Sequence, residues 1–147
     1  MASTSIPVAS LGANPEVAKQ IKELLLPEYD LVHMCLSLES ASTEFTEILS
    51  GNLEVAPSSG IGSNVDKPTT ERRVPRAIVL GGGVSDEDYV ALKEALVKGG
   101  LKVEGDGEDV VKFVRVLRDD ILALGASRPD PTVISQVIRK KLGQLGL

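Results

Sequence analysis

The chain holds one histidine and one cysteine, His33 and Cys35, and they stand two residues apart. In a β-strand that spacing points both side chains to the same face. Such a pair has two chemical uses. An imidazole beside a thiol can generate a thiolate nucleophile, and a nitrogen with a sulfur can ligate a borderline-soft metal. Either use needs further groups, and no second histidine or cysteine exists to complete a site. The run around the pair, Leu31 to Leu36, is apolar without alternation, as expected of a strand buried on both faces. His33 and Cys35 are therefore expected to be core residues, and the sequence assigns no metal site and no catalytic residue.

Other catalytic signatures fail on residue type. A serine–histidine–acid triad would have to use His33, and the Gly-x-Ser-x-Gly elbow is absent; Gly60-Ile61-Gly62-Ser63 has the wrong order. No Gly-Lys-Ser or Gly-Lys-Thr occurs, so there is no P-loop. A phosphoryl-accepting receiver domain would need acids where its first and third strands end, and Leu11-Gly12 and Leu80-Gly81 stand there instead.

Two glycine turns are the candidates for ligand binding. Gly81-Gly82-Gly83 follows a strand and precedes a helix, where a phosphate-binding turn would sit. The dinucleotide fingerprint wants glycine at the sixth position, which here is Asp86. Asp86, Glu87 and Asp88 also open the following helix, and three carboxylates there oppose the positive end of its dipole. The first such turn, Gly12-Ala13-Asn14, has one glycine. Gly12, Asn14, Gly81, Gly82 and Gly83 are the cofactor-binding candidates, for a ligand whose identity the sequence leaves open. The carboxyl ends of the strands also receive Glu16, Asp106, Glu108 and Asp109, a mouth suited to a cationic group, although acids belong in first helical turns in any case.

The elements that must position these residues read clearly in the first half. Ile6 to Leu11 is strand-sized; Asn14-Pro15-Glu16 then supplies an N-cap, a proline at the first helical position and an acid in the first turn. Val17, Ile21, Leu24 and Leu25 recur at helical spacing up to Pro27. A second strand spans Leu31–Leu36, and a second helix spans Ser40–Leu49. From Pro57 to Arg73 the composition turns to Ser, Gly, Thr, Pro and charge, which predicts a mobile loop away from the ligand-facing rim. Arg76 to Leu80 is a third strand, and Ser85 with Asp88 caps a third helix that Gly99-Gly100 closes. Leu101 to Glu104 is predicted as the fourth strand, with a long helix from Asp106 to about Leu124 and a last one from Asp130-Pro131 to about Leu145.

Strands alternating with helices imply one parallel sheet with right-handed crossovers. The expected fold is a single three-layer α/β domain over residues 1–147, with four strands in the order 2-1-3-4 and helices on both faces. That architecture resembles the Rossmann-like and flavodoxin-like doubly wound folds. The length, 147 residues, suits one domain, and one cysteine allows no intramolecular disulfide. Net charge is −5, with two Phe, two Tyr and no Trp, which argues against nucleic-acid binding. No apolar run approaches the ~20 residues of a membrane span, and Met1 to Ser5 lacks the start of a signal peptide, so a cytoplasmic location without membrane attachment is expected.

On a helical wheel, Val110, Phe113, Val114, Leu117, Ile121 and Leu124 form one stripe, with Val111 and Leu122 on a second line. The final helix adds Ile134, Val137, Ile138, Leu142 and Leu145. This surplus predicts a homodimer through the last two helices. Functionally, the sequence favours a non-catalytic binding or assembly module. The alternative is a small nucleotide- or ligand-binding protein, related to NAD(P) or flavin binders, that uses the turns after the first and third strands.

Overall fold

Each strand is followed by a segment with its own start signal. β1 (Ile6–Leu11) leads into α1 (Pro15–Leu25), whose cap Asn14 accepts from the amides of Glu16 and Val17. β2 (Tyr29–Cys35) leads into α2 (Leu38–Leu49), capped by Ser37. β3 (Ala77–Leu80) leads into α3 (Asp86–Lys98), capped by Ser85. β4 (Lys112–Arg115) is followed by the short α4 (Arg118–Ala123) and by α5 (Pro131–Gly143), capped by Asp130. The computed structural model describes residues 5–12, 14–81, 84–103, 110–125 and 130–145.

The strands pair in parallel in the order β2-β1-β3-β4, the order expected from sequence. Helices cover both faces. On one, α1, α4 and α5 bury Leu25, Ile121, Val137, Ile138 and Leu142 against Val8, Val79 and Val114. On the other, α2 and α3 bury Phe45, Ile48, Leu92 and Leu96 against Ala9, Ile78 and Leu80. The fold is thus a three-layer α/β arrangement on a four-stranded parallel sheet.

The second half differs from expectation in its fourth strand and in the helix beside it. The fourth strand is Lys112–Arg115, not Leu101–Glu104; residues 101–103 contribute only the isolated bridge between Lys102 and Val110. Of the long helix expected over Asp106–Leu124, residues 106–109 lie outside the described residues, and over 110–124 stand β4 and the six-residue α4. The physical reason is the run Val110-Val111-Lys112-Phe113-Val114-Arg115-Val116. Its β-branched residues favour a strand. Val111 and Phe113 go to the α2/α3 layer, whereas Val114 and Val116 go to the α1/α5 layer. The stripe of Val110, Phe113, Val114, Leu117, Ile121 and Leu124 therefore divides between two layers and is no helix face. In α5, Val137, Ile138 and Leu142 are buried within the chain, so that part of the expected surplus is used internally.

The β1–β2 pairing carries an irregularity. It slips between Val8 and Ala9: Val8 faces Leu31, but Ala9 faces His33. The extra residue, Val32, makes a bulge, and a bulge re-aims every side chain beyond it. Leu31 belongs to the α1/α5 layer, while Cys35 beyond the bulge belongs to the α2/α3 layer.

The loop between α2 and β3 lies along the outer edge of β2. The Met34 amide donates to the Ile61 carbonyl at 3.0 Å, and the Ser59 hydroxyl donates to the Met34 carbonyl at 2.5 Å. Gly62 lies so close that a Cβ there would sit 2.3 Å from the Val32 carbonyl oxygen, and its φ of +134° also favours glycine. The loop then makes two short 3-10 turns, Ser63–Asp66 and Thr69–Glu71, and ends with Arg73 bonded to Asp30 at 2.6 Å. Its first residues therefore flank the carboxyl half of β2, a correction to the expectation that the whole loop avoids that end of the sheet. Covering an otherwise unpaired edge strand is the physical reason for this path.

Candidate functional site

Two places gather groups with chemical potential. The first is the rim at the carboxyl ends of β1 and β3. The chain winds outward from β1 to β2 in one direction and from β3 to β4 in the other, so β1 and β3 flank the point where winding reverses. Open α/β sheets bind ligands in the crevice outside that point.

Gly12 and Gly81 meet there. The Gly81 amide donates to the Leu11 carbonyl at 2.9 Å, and a Cβ on Gly81 would lie 3.7 Å from the Gly12 Cα. Neither residue has a positive φ. The nearest atom to a Cβ on Gly81 would be 3.5 Å away, ordinary contact, and on Gly12 it would be the mobile end of Met34 at 3.2 Å. Among the described residues, nothing demands glycine at 81. Asn14 lies on the same rim, but its carboxamide oxygen serves the cap of α1. Gly82 and Gly83 lie outside the described residues, as do Asp106, Glu108 and Asp109.

Asp86, Glu87 and Asp88 occupy the first turn of α3, and Glu16 that of α1, as expected. Arg115, at the end of β4, was not foreseen on this rim because the sequence reads that stretch as helix. Its guanidinium reaches Asp86 at 2.7 Å, donates to the Val84 carbonyl at 3.3 Å, and lies 4.9 Å from the centre of the Tyr89 ring.

The second place is a buried polar cluster between β2 and α2. The bulge turns His33 and Cys35 toward α2, whose buried stripe Ala41, Phe45 and Ile48 also carries Glu44. His33 Nε2 lies 2.7 Å from Glu44 Oε1, and the Cys35 thiol donates to the same oxygen at 3.7 Å. From the loop, the Ser58 hydroxyl donates to Oε2 at 2.6 Å and its amide donates to Oε1 at 3.0 Å. The His33 ring meets Phe45 edge-on, with centroids 5.7 Å apart. His33 and Cys35 are both 0% exposed.

Burial and bonding set the charges. Burial alone would raise the Glu44 pKa, but Ser58's hydroxyl and amide, with His33, outweigh it and hold the carboxyl below its ordinary value. Burial lowers the His33 pKa despite the opposing bond and charge of Glu44, with a smaller push from Arg72. A neutral imidazole beside a carboxylate must carry its proton on Nε2, which leaves Nδ1 an acceptor. That Nδ1 is buried without a partner. Burial, then the nearby Glu44 charge, pushes the Cys35 thiol far up, so it is no thiolate nucleophile in this state.

The sequence brought His33 and Cys35 together correctly and as core residues. It missed Glu44 and Ser58. The available signal was an acid at position 44 within the apolar spacing 41, 45 and 48.

No protein-family model matches the chain, and no solved structure matches it. A curated protein described as "Kojic acid related protein 6", from Aspergillus oryzae, is 29% identical over 90 residues, covering 61% of this chain and 50% of that protein. The chain thus spans about half the length of the curated relative it matches.

Proposed function

We propose that this chain is a non-catalytic binding module with a Rossmann-like core that holds a small molecule against Gly12 and Gly81. The observation that carries this reading is that glycine stands at 81 although its φ is not positive and no contact among the described residues crowds a Cβ there. A missing side chain at a sheet's reversal point lets a ligand approach the backbone closely. The absence of catalysis in this reading rests on the burial of His33 and Cys35, which keeps both away from a rim substrate. A cytoplasmic location belongs to the same reading, with Cys35 as a free buried thiol in its support.

The acids opening α3 disfavour a phosphate at that helix start, even with Asp86 paired to Arg115. The reading therefore commits to contact between the glycine backbone and the ring of a nucleoside- or flavin-type ligand. A thermal-shift series with nucleosides, nucleotides, nicotinamide cofactors and flavins tests it. At ligand concentrations about 100-fold above Kd, stabilisation of about 2.7 kcal/mol should raise Tm by several degrees. Gly81→Ala, whose Cβ meets ordinary contact distances, should weaken that rise with little change in the Tm of the free protein.

A second reading, assembly with a second copy, has its own observation. Leu117, Leu122 and Leu124, in and beside α4, are 42%, 49% and 53% exposed. Burying them against a symmetry-related copy would preserve a dimer that uses the last two helices, with α4 as its contact and α5 behind it. Light scattering at tens of micromolar decides between monomer and dimer.

A further inference from the structure

The rim reading makes no use of the buried cluster, and the cluster has features that packing alone does not account for. Its donors differ in kind: an imidazole nitrogen, a thiol sulfur and a carboxylate oxygen. They come from two elements, all three residues are buried, and their donor atoms lie within 4.8 Å of one another.

We propose that His33, Cys35 and Glu44 ligate a buried divalent transition-metal ion of the zinc class.

Geometry is the first argument. Metal–ligand distances of about 2.0 Å for N and O and 2.3 Å for S put tetrahedral ligands roughly 3.3–3.5 Å apart. The Cys35 Sγ to Glu44 Oε1 separation, 3.7 Å, is already close to that edge. The His33 Nε2 to Oε1 separation, 2.7 Å, must open by roughly half an ångström as one hydrogen bond gives way to two metal bonds. Among the described residues, no hydrogen bond to its other nitrogen, Nδ1, opposes that tilt of the ring.

Charge is the second. Glu44 brings a carboxylate into a buried cluster beside the His33 imidazole and the Cys35 thiol. The guanidinium of Arg72 is bonded to the carbonyl oxygens of Leu53, Glu54 and Lys67. A dication with one carboxylate, one thiolate and one neutral imidazole sums to zero. On binding, the thiol proton leaves to solvent and the imidazole proton moves from Nε2 to Nδ1. A mixed N/S/O set of this kind suits zinc better than magnesium or calcium, which prefer oxygen alone.

Ser58 has a distinct part. Its hydroxyl sits on the other oxygen of the carboxylate and orients Glu44 without contributing one of the three donors. It also ties the site to the loop over β2.

The test uses the full chain expressed in zinc-supplemented medium. Mass spectrometry should find about one zinc per chain, and exchange for cobalt(II) should give a near-ultraviolet thiolate-to-cobalt charge-transfer band. Cys35→Ser should lose the band and lower zinc content at least tenfold. Should that variant fail to fold, Ser58→Ala serves instead: it keeps the band and weakens zinc about tenfold in chelator competition, as outer-shell partners do. A wild-type chain that is metal-free after this growth, and again after refolding with zinc, overturns the proposal. So does cobalt bound without the charge-transfer band, or zinc retained undiminished by a folded Cys35→Ser.

Discussion

On the face of the sheet covered by α1, α4 and α5, the buried layer is apolar from Val8 and Val79 out to Ile138 and Leu142. On the face covered by α2 and α3, Phe45, Leu92 and Leu96 share their layer with His33, Cys35 and Glu44. Both layers close the same sheet, and hydrophobic burial drives both. The difference is that polar groups in the second layer must find partners inside it, since an unpartnered buried polar group costs about 1–3 kcal/mol. Four hydrogen bonds converge on Glu44, two of them from Ser58, 14 residues away in the loop. The apolar layer holds itself together, whereas the polar one recruits the loop.

The largest expected effect tests the apolar layer. Ile138 is 2% exposed in the middle of that cluster, and Ile138→Asp should abolish cooperative unfolding, at a cost of about 4–5 kcal/mol or more. Leu122, 49% exposed on α4, should accept aspartate with a change within about 0.5 kcal/mol. Circular dichroism melts of the two variants check the contrast. If Leu122→Asp also changes a dimer into a monomer, the α4 contact is identified at the same time.

The next effect is intermediate and concerns the loop. Its composition reads as dispensable, and loop-closure entropy alone would let a short Gly/Ser linker replace residues 58–71 at little cost. Its bonds to Glu44 and Met34 and the burial of Ile61 say otherwise. Replacement should cost about 2–4 kcal/mol, through lost apolar burial and a carboxylate stripped of two donors. Glu44→Ala alone should cost about 2 kcal/mol, and the two changes together should cost clearly less than their sum, because they share one interaction. Urea titrations of the three variants measure this, and additive costs would show that the loop and the cluster are independent.

Much of this difference between faces was hidden from the sequence for identifiable reasons. The β1–α1 junction was legible because Asn14, Pro15 and Glu16 each carry a local signal that the fold uses unchanged. The sheet order followed from the alternation and from the apolar runs that placed the Val8 and Ile78 strands at the centre. The fourth strand was misread because residues 110–124 satisfy a helical spacing and a strand propensity together, and which one prevails depends on β3 being there to pair with. For the cluster, His33 and Cys35 share a face in any strand register. Only the bulge at Val32 decides that the face is that of α2, and nothing at Leu31-Val32-His33 announces a bulge. Without it, strict alternation from Leu31 would have turned both residues into the apolar layer. Glu44 could have been suspected from its place among Ala41, Phe45 and Ile48, but Ser58 lies in a stretch whose composition carries no positional signal.

The smallest expected effect belongs to the apolar layer's solvent edge, where charge replaces burial. Asp120 on α4 accepts from Lys141 of α5 at 2.6 Å and from the Leu117 amide at 2.8 Å. The Lys141 bond is the main cause that holds its pKa below the ordinary value; partial burial opposes, and the Leu117 amide and the charges of Lys141 and Lys140 assist. A carboxyl whose folded pKa is depressed stabilises the protein above its unfolded pKa, and loses that contribution as pH falls through the folded one. Asparagine at 120 can keep the bond from Leu117 and removes only the charge. Asp120→Asn should therefore cost about 0.5–1 kcal/mol at pH 7, the range for a partly exposed ion pair. The gap between variant and parent should close as the pH is lowered through and below the ordinary aspartate pKa of about 3.9. Urea unfolding of both proteins across that range measures it. A gap that persists in strong acid would mean that the carboxylate geometry at the α4 cap, not its charge, joins α4 to α5.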